Sequence, residues 1–363
     1  MDNLQVTPES IRSVIRRLEL SALSLEEEND LFQVLESFEC WEPLLRGLRR
    51  RVFDATRRSL NDYIKLARIE LRCLENVDEA AKTLATLVEQ TGMDYDSFRA
   101  DAFPQVLPEE DFAAEATILE AICGILPTQY GRVACLERLC LIYEKKKYND
   151  KLLNETYKRL IMIDSHNVKA LRFFKVVYTQ NSEWEEVSKI LRALHTSARL
   201  EGDKHRYAQE LATVYLYQLD RPKKAIEVIE RHCSKSHLDT STIQFEAYSR
   251  LGNWAGCLQV LKDCLLRVSD DGARGILFFK IGELEQQLGN TVEAINSFRQ
   301  SNSLVPEFLE PIESLIEISL AARNWTETVA NLNLLASRVV NVDSRGRIEE
   351  VKARLEGGIA SAG

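Results

Sequence analysis

The sequence predicts an all-α protein, a right-handed α-solenoid of about nine helix–turn–helix repeats with an extra N-terminal helix and a C-terminal capping helix. Two observations predict this class. All four tryptophans follow a short polar turn and open an apolar helical pattern, and their separations of 143, 70 and 71 residues are close to multiples of about 35, within the period of stacked repeat units. A leucine stands seven residues after each tryptophan, in the pairs Trp41 and Leu48, Trp184 and Leu191, Trp254 and Leu261, and Trp325 and Leu332. We expect the tryptophans to pack across the turns rather than to recognise a ligand.

The amino-acid composition and net charge limit the functional classes to which the protein can belong. The 363 residues are 45% hydrophobic and 28% charged, which is typical of a folded chain, and 15 glycines and 8 prolines are too few for a β-sandwich. The net charge of −9 disfavours nucleic acid and membrane surfaces, because binding phosphates needs clustered positive charge. No signal peptide pattern is visible in residues 1–10, and no apolar stretch reaches the ~18 residues of a membrane span. We therefore expect a cytoplasmic protein with no nucleic-acid or membrane partner.

Motifs for catalysis and cofactors are missing from the sequence. It contains no phosphate-binding glycine loop, no G-x-S-x-G elbow and no H-E-x-x-H. The eight cysteines form no C-x-x-C pair and fit reduced, buried thiols. His232 and His237 have a spacing found in zinc sites but lack a second ligand pair, so a polar helix end is the favoured interpretation. We expect no enzyme activity, no cofactor and no metal.

The clearest repeat runs from Gly275 to Phe308. Apolar residues recur at helical spacing on both sides of Gly289, which predicts a helix, a tight turn and a second helix. Gly282 and Ala294 are small and let the two helices approach closely, and a proline at 306 ends the second helix.

This unit resembles the tetratricopeptide repeat (TPR), a helix–turn–helix of about 34 residues. The tyrosine usual in the first helix is replaced by Glu285. The resemblance implies stacked helix pairs whose first helices line a concave groove, where partner segments often bind. The residues that carry it are Ile281-Gly282 in the first helix, Gly289-Asn290 in the turn, Ala294 and Phe298 in the second helix, and Pro306.

The same pattern, laid along the chain, predicts its organisation. Units start near residues 25, 61, 95–100, 134, 168, 206, 238, 275 and 309. The predicted parts are an N-terminal helix (1–24), degenerate TPR-like repeats (25–133) with an irregular segment at 93–108, further repeats (134–342), and a cap helix with a tail (343–363). The charged last helix suits a cap, because it keeps the final apolar face from contacting other chains.

The resemblance also places positions 2, 5, 9, 12 and 13 of each unit on the groove. That geometry predicts a groove that is basic in its first half, where an acidic partner would bind, and acidic in its second half. Two tyrosines near the junction are candidate anchors. The alternative is that the charges are ordinary solvated faces and the tyrosines belong to the core. The candidate partner-binding residues are Lys65, Arg72, Arg138, Lys145, Lys169, Arg172, Tyr207, Tyr217, Glu246, Glu283, Glu313 and Glu317.

A second basic feature lies nearer the N-terminus. It is either a solvated helix face balanced by nearby glutamates or a docking patch for an acidic partner. The run consists of Arg46, Arg49, Arg50, Arg51, Arg57 and Arg58.

Three functions remain open at this point. The favoured one is a non-catalytic adaptor or scaffold that binds a protein or peptide through the groove or an end face. The second is a structural subunit of a larger assembly, such as an RNA-processing complex. The third is a regulatory protein, with a small GTPase or a response regulator as its partner.

Overall fold

The protein is described by a computed structural model over residues 8–20, 23–107, 111–146, 150–233 and 240–362. Within these ranges the chain forms helices joined by short turns and contains no strand, which confirms the all-α class. The chain divides into two compact units, Met1–Phe173 and Phe174–Gly363. The count of about nine repeats stays a prediction.

In the first unit, most helices pack on their neighbours in sequence. The segment predicted to be irregular, at 93–108, forms two short helices on either side of a π-helical turn at Phe98–Ala102 as far as it is described. The helices are α1 (Pro8–Leu20), α2 (Leu25–Ser37), α3 (Trp41–Phe53), α4 (Leu60–Arg72), α5 (Val77–Thr91), α6 (Tyr95–Ser97), α7 (Phe103–Val106), α8 (Phe112–Cys123), α9 (Gln129–Lys146) and α10 (Asp150–Ile163), and α11 (Val168–Gln180) contains the unit boundary.

In the second unit, each helix from α12 to the last packs on the next one in sequence. A π-helical turn, Val214–Gln218, follows α13. The helices are α12 (Trp184–Ser197), α13 (Glu201–Thr213), α14 (Pro222–His232), α15 (Ser241–Arg250), α16 (Trp254–Leu265), α17 (Asp271–Gln287), α18 (Thr291–Leu304), α19 (Glu310–Ala321), α20 (Trp325–Arg338) and α21 (Val342–Ala362).

The predicted position of the tryptophans, after a short turn and at the start of a helix, is confirmed. We call this position the tryptophan slot. Each of the four tryptophans is the first residue of a helix, α3, α12, α16 or α20. Of the leucines seven residues on, Leu48, Leu191 and Leu332 are buried, whereas Leu261 is half-buried. The slot therefore marks the start of a second helix in its pair.

One turn geometry recurs before these second helices. The residue two positions before the helix has a left-handed backbone, and the N–H of the next residue donates to a carbonyl five or six residues earlier, as Asn253 does to Tyr248 O at 2.9 Å. In most of these turns this is the Schellman arrangement, which satisfies carbonyls at the end of the first helix. The left-handed residues are Glu39, Glu75, Ser182, Asp220, Gly252, Gly289 and Arg323.

The pair α17–α18 corresponds to the clearest predicted repeat, which runs from Gly275 to Phe308. Gly282 is buried in α17, where an added Cβ would lie 2.6 Å from Cε1 of Phe298 in α18. Ala294 is fully buried beside it, and the Ser301 hydroxyl donates to the Gly275 carbonyl at 2.7 Å. The small residues therefore allow the close helix approach expected of them.

Glu285, which replaces the usual tyrosine, is 3% exposed on α17. Its carboxylate accepts hydrogen bonds from Lys262 Nζ at 2.8 Å and from Asn290 Nδ2 at 2.7 Å. Burial by itself would raise the pKa of Glu285, but the hydrogen bonds with Lys262 and Asn290 hold it below its ordinary value of 4.5. The buried carboxylate thus connects α16, α17 and the turn that leads into α18.

The left-handed turns predict opposite effects of glycine at two exposed sites. Changing Arg323 to Gly should raise the free energy of unfolding by about 0.5–1 kcal/mol, because relief of the left-handed strain exceeds the chain entropy that glycine adds. Glu317→Gly, inside α19, should lower it by about 1 kcal/mol. Urea-induced unfolding measures both, and equal losses for the two variants would contradict the turn geometry.

The Glu285 contacts predict a pH-dependent loss in Lys262→Met. Above pH 4.5 this variant should lower the free energy of unfolding by about 1–3 kcal/mol, because a buried carboxylate loses a charged donor. The lowered pKa means that the contribution fades as pH falls through it, so the loss should shrink in acid. Lys280→Met is the control, because its pair with Glu283 is exposed and stabilises by about 0–1 kcal/mol. Urea unfolding at neutral and acidic pH measures both variants. Equal losses of unfolding free energy at both pH values would contradict the role assigned to the contact between Lys262 and Glu285.

Candidate partner-binding cleft

An open cleft of about 580 Å³ lies between α15, α16 and α17 of the second unit. Its walls are mainly apolar, and its rim carries Lys280, Glu283 and Gln287. We call it the Trp254 cleft. Its full lining is Ser241, Thr242, Phe245, Trp254, Val260, Leu261, Cys264, Leu277, Lys280, Glu283, Leu284 and Gln287.

The turn before α16 positions Trp254 in this cleft. Gly252 takes the left-handed conformation, with a φ of 64°, and the Asn253 side chain caps α16 by accepting from Gly256 N at 3.0 Å. Gly256 then allows the ring of Tyr248 in α15 to approach, since an added Cβ would lie 2.6 Å from it. The start of α16 is thereby fixed against the end of α15.

Trp254 is 40% exposed, so the sequence expectation of a tryptophan packed at the turn is only partly met. Trp325, at the start of α20, is also 40% exposed, but it does not line the Trp254 cleft. The same slot in the repeat therefore supplies an aromatic surface in both places, and only Trp254 is set beside this cavity. Sequence reasoning missed the cleft because the tryptophan had been interpreted as turn packing alone.

The basic candidates in the first unit are largely engaged within the chain. Lys65 Nζ lies 2.6 Å from Glu36, and Lys169 Nζ lies 2.6 Å from Glu137. Arg72 donates to the carbonyl of Val106 at 3.1 Å, which ties α4 to α7. These side chains therefore make contacts between helices of the chain itself, a role that neither the partner-binding prediction nor the alternative of solvated faces included.

The remaining basic candidates differ in exposure. Lys145 Nζ lies 5.9 Å from the centroid of the Phe112 ring, and Arg172 is exposed. Arg138 donates through Nε and Nη2 to both carboxylate oxygens of Glu115, at 2.6 and 2.8 Å. Glu115 is only 4% exposed, so Arg138 neutralises a buried charge. Arg138 therefore supports the fold of the first unit, and reversal of its charge would leave Glu115 buried without a cation.

The candidates in the second unit separate into buried and exposed groups. Tyr207 is 3% exposed and lies in the helix core, whereas Tyr217 is exposed with the Arg250 guanidinium 5.3 Å from its ring centroid. Glu246 pairs with Arg250 at 3.0 Å, and Glu283 pairs with Lys280 at 2.7 Å on the rim of the Trp254 cleft. Glu313 and Glu317 are exposed on α19.

The arginine run at 46–58 holds the start of the first unit together. Arg49 pairs with the buried Glu70 at 2.8 Å, and the buried Arg51 pairs with Asp62 at 3.2 Å. Arg50 donates to the carbonyl of Leu18 at 3.1 Å. Much of the run thus makes contacts between helices instead of presenting a uniform exposed basic face.

Two general findings concern the described part of the chain. No helix there is both long and apolar enough to cross a membrane, and no group of three or more His, Cys, Asp or Glu side chains is arranged to hold a metal ion. His237, from the predicted histidine pair, lies outside the described residues.

Comparisons with known proteins give structural likenesses at low sequence identity. No family model and no curated protein matches the sequence. Similar solved structures include the MamA protein, 12% identical over 47% of this chain and 91% of its own, with a TM-score of 0.35. A tetratricopeptide repeat protein from Parabacteroides merdae is 13% identical over 74% and 99%, with a TM-score of 0.30.

A third similar structure is YrrB, described as a TPR protein with an unusual peptide-binding site. It is 14% identical over 61% of this chain and 98% of its own, with a TM-score of 0.31. These scores are low, and the TPR-like character of the chain therefore rests on its own helix pairs, turns and close-packed small residues.

The contact between Arg138 and Glu115 predicts a large effect of charge reversal. Arg138→Glu should lower the free energy of unfolding by about 3 kcal/mol, because Glu115 would be left buried beside a like charge. Lys169→Glu is the control, since Lys169 is 58% exposed in its pair and should contribute less than about 1 kcal/mol. Thermal and urea unfolding compare the two, and an equally small loss in both would mean that Arg138 does not hold Glu115.

Proposed function

We propose that this chain is a non-catalytic adaptor that binds a segment of a partner protein in the Trp254 cleft. The observation that carries the proposal is the large apolar cavity with a partly exposed tryptophan on its wall. Tryptophan is a frequent energetic centre of protein interfaces, because its large apolar ring is buried while its N–H remains available for hydrogen bonding.

The chemistry of the cleft favours a particular kind of segment. Its apolar walls would take a large aliphatic or aromatic side chain, and the polar rim would hydrogen-bond the backbone on either side. The carboxylates of Glu310, Glu313 and Glu317 are exposed at a spacing of three and four residues on α19. Among the described residues they form no ion pair within 4.0 Å. The TPR resemblance places α17 and α19, both first helices, along one groove, so a basic residue on the part of the segment that extends past the cleft would be favoured.

We therefore expect the bound segment to contain one large apolar side chain with a lysine or arginine nearby, which we call the apolar-and-basic pattern. This reverses part of the sequence prediction of an acidic partner at the first unit, whose basic side chains largely hold carboxylates of their own chain. The structural-subunit alternative is distinguished from this proposal by the experiment below.

A random peptide library displayed on phage is panned on the full chain, and enriched peptides are synthesised. We expect them to share the apolar-and-basic pattern. Trp254→Ala should weaken their binding about tenfold or more, as measured by fluorescence anisotropy, because a central aromatic contact is lost.

Trp325→Ala is the matched control, with the same exposure and the same position at a helix start. It should leave peptide affinity unchanged. Each variant should cost about 1–2 kcal/mol in stability, since only part of the ring is buried. Peptides that bind Trp254→Ala as tightly as the unmodified chain would place the contact elsewhere. Failure to enrich any peptide would favour the structural-subunit alternative.

A further inference from the structure

Three clefts in the second unit lie at the same place in the repeat. Each is bounded by two successive second helices and by the first helix between them. The first lies between α12, α13 and α14, the second between α14, α15 and α16, and the third between α18, α19 and α20. Their volumes are similar, about 210, 290 and 280 Å³. Because the backbone setting is shared, differences between them come from the side chains.

The side chains give the three clefts different charges. The cleft at α18–α20 has one cation and one anion, Arg299 and Glu327, which form a salt bridge at 2.6 Å. The cleft at α14–α16 is lined by two carboxylates, Glu230 and Asp263, and by one cation, Arg267. The cleft at α12–α14 has the opposite balance. Its charged and titratable lining is Arg192, Lys224, Arg231, His232 and Glu227.

Within the described part of the chain, two of these cations have no carboxylate partner. Arg231 pairs with Glu227 at 2.9 Å. Neither Arg192 nor Lys224 has a carboxylate oxygen within 4.0 Å among the residues that the structure describes. Among the described residues Arg192 makes one long hydrogen bond, from Nε to the Ser188 carbonyl at 3.5 Å, so its guanidinium remains available.

The wall between these cations is apolar and buried. Leu211 from α13 and Tyr215 from the π-helical turn after it line the cleft and are 3% and 5% exposed. Lys224 Nζ lies 5.6 Å from the centroid of the Tyr215 ring. Water screens charges less beside such a wall, so an anion would interact more strongly here than on an open surface. His232 adds a ring that can donate a hydrogen bond.

We propose that the α12–α14 cleft binds a phosphate group, either free or carried as a monoester on a side chain. Arg192 offers a planar fork that matches two phosphate oxygens, and Lys224 offers a second positive charge from the next helix pair. A volume of about 210 Å³ is small for a whole nucleotide but takes a phosphoryl group on a side chain or a free phosphate. This site is separate from the Trp254 cleft and does not depend on the adaptor proposal.

The test uses isothermal titration calorimetry with the full chain at low salt. The probes are inorganic phosphate, a short Gly/Ser peptide with a central phosphoserine, and the same peptide with serine. We expect the phosphoserine peptide to bind, the serine peptide not to bind, and affinity to fall as salt rises. Tighter binding of the phosphoserine peptide than of phosphate identifies a phosphorylated partner as the source, and equal binding identifies a free phosphate.

The variant Arg192→Gln/Lys224→Gln should weaken binding of the phosphorylated probes about tenfold or more, since charged hydrogen bonds are lost. Arg267→Gln, in the equivalent cleft at α14–α16, is the control and should bind like the unmodified chain. Arg192 and Lys224 are exposed and Arg267 is half-buried, so the unfolding midpoint of the double variant should be unchanged and that of Arg267→Gln is measured as well. Absence of binding by both phosphorylated probes, or undiminished binding in the double variant, would overturn the proposal.

Discussion

The left-handed turn between paired helices is the constraint on which the rest of the structure depends. At each such turn an N–H reaches back to a carbonyl near the end of the first helix and fixes where the second helix starts. Gly252 and Gly289 adopt this conformation easily, whereas Ser182 and Arg323 adopt it at some cost. Packing between neighbouring helices holds the costly turns in place. Since most helices pack mainly on their neighbours in sequence, the turns set which side chains can meet.

Buried carboxylates paired with cations of neighbouring helices are a second feature that the two units share. Glu70, Glu115 and Glu285 are each less than 5% exposed, and each is held by a cation from a neighbouring helix. Each pair joins two neighbouring helices, and Glu285 stands where the TPR pattern usually has a tyrosine. They also explain why much of the positive charge of the first unit is not available to a partner. The binding surfaces that we propose lie instead in the second unit. They are the apolar Trp254 cleft and the α12–α14 cleft, where Arg192 and Lys224 have no carboxylate oxygen within 4.0 Å among the described residues.

The sequence predicted the repeats well and the site poorly, for a physical reason. Trp184, Trp254 and Trp325 stand at helix starts as predicted, because turn chemistry and helical periodicity are local signals that one unit contains in full. The pairing of Arg138 with Glu115 joins residues 23 positions apart, and only packing of the helices reveals it. Likewise, the exposure of Trp254 depends on how α15 and α17 are placed around it. Single-sequence reasoning could find the slot but not the cavity beside it.

The most direct test of the account is fluorine NMR of the full chain labelled with 5-fluorotryptophan, titrated with a peptide of the apolar-and-basic pattern. The four tryptophans give separate probes at equivalent helix starts, and Trp→Phe variants assign their signals. The account predicts that the Trp254 resonance shifts and saturates with peptide while the Trp325 resonance stays in place. A shift confined to Trp41, Trp184 or Trp325, with Trp254 unmoved at saturation, would contradict it.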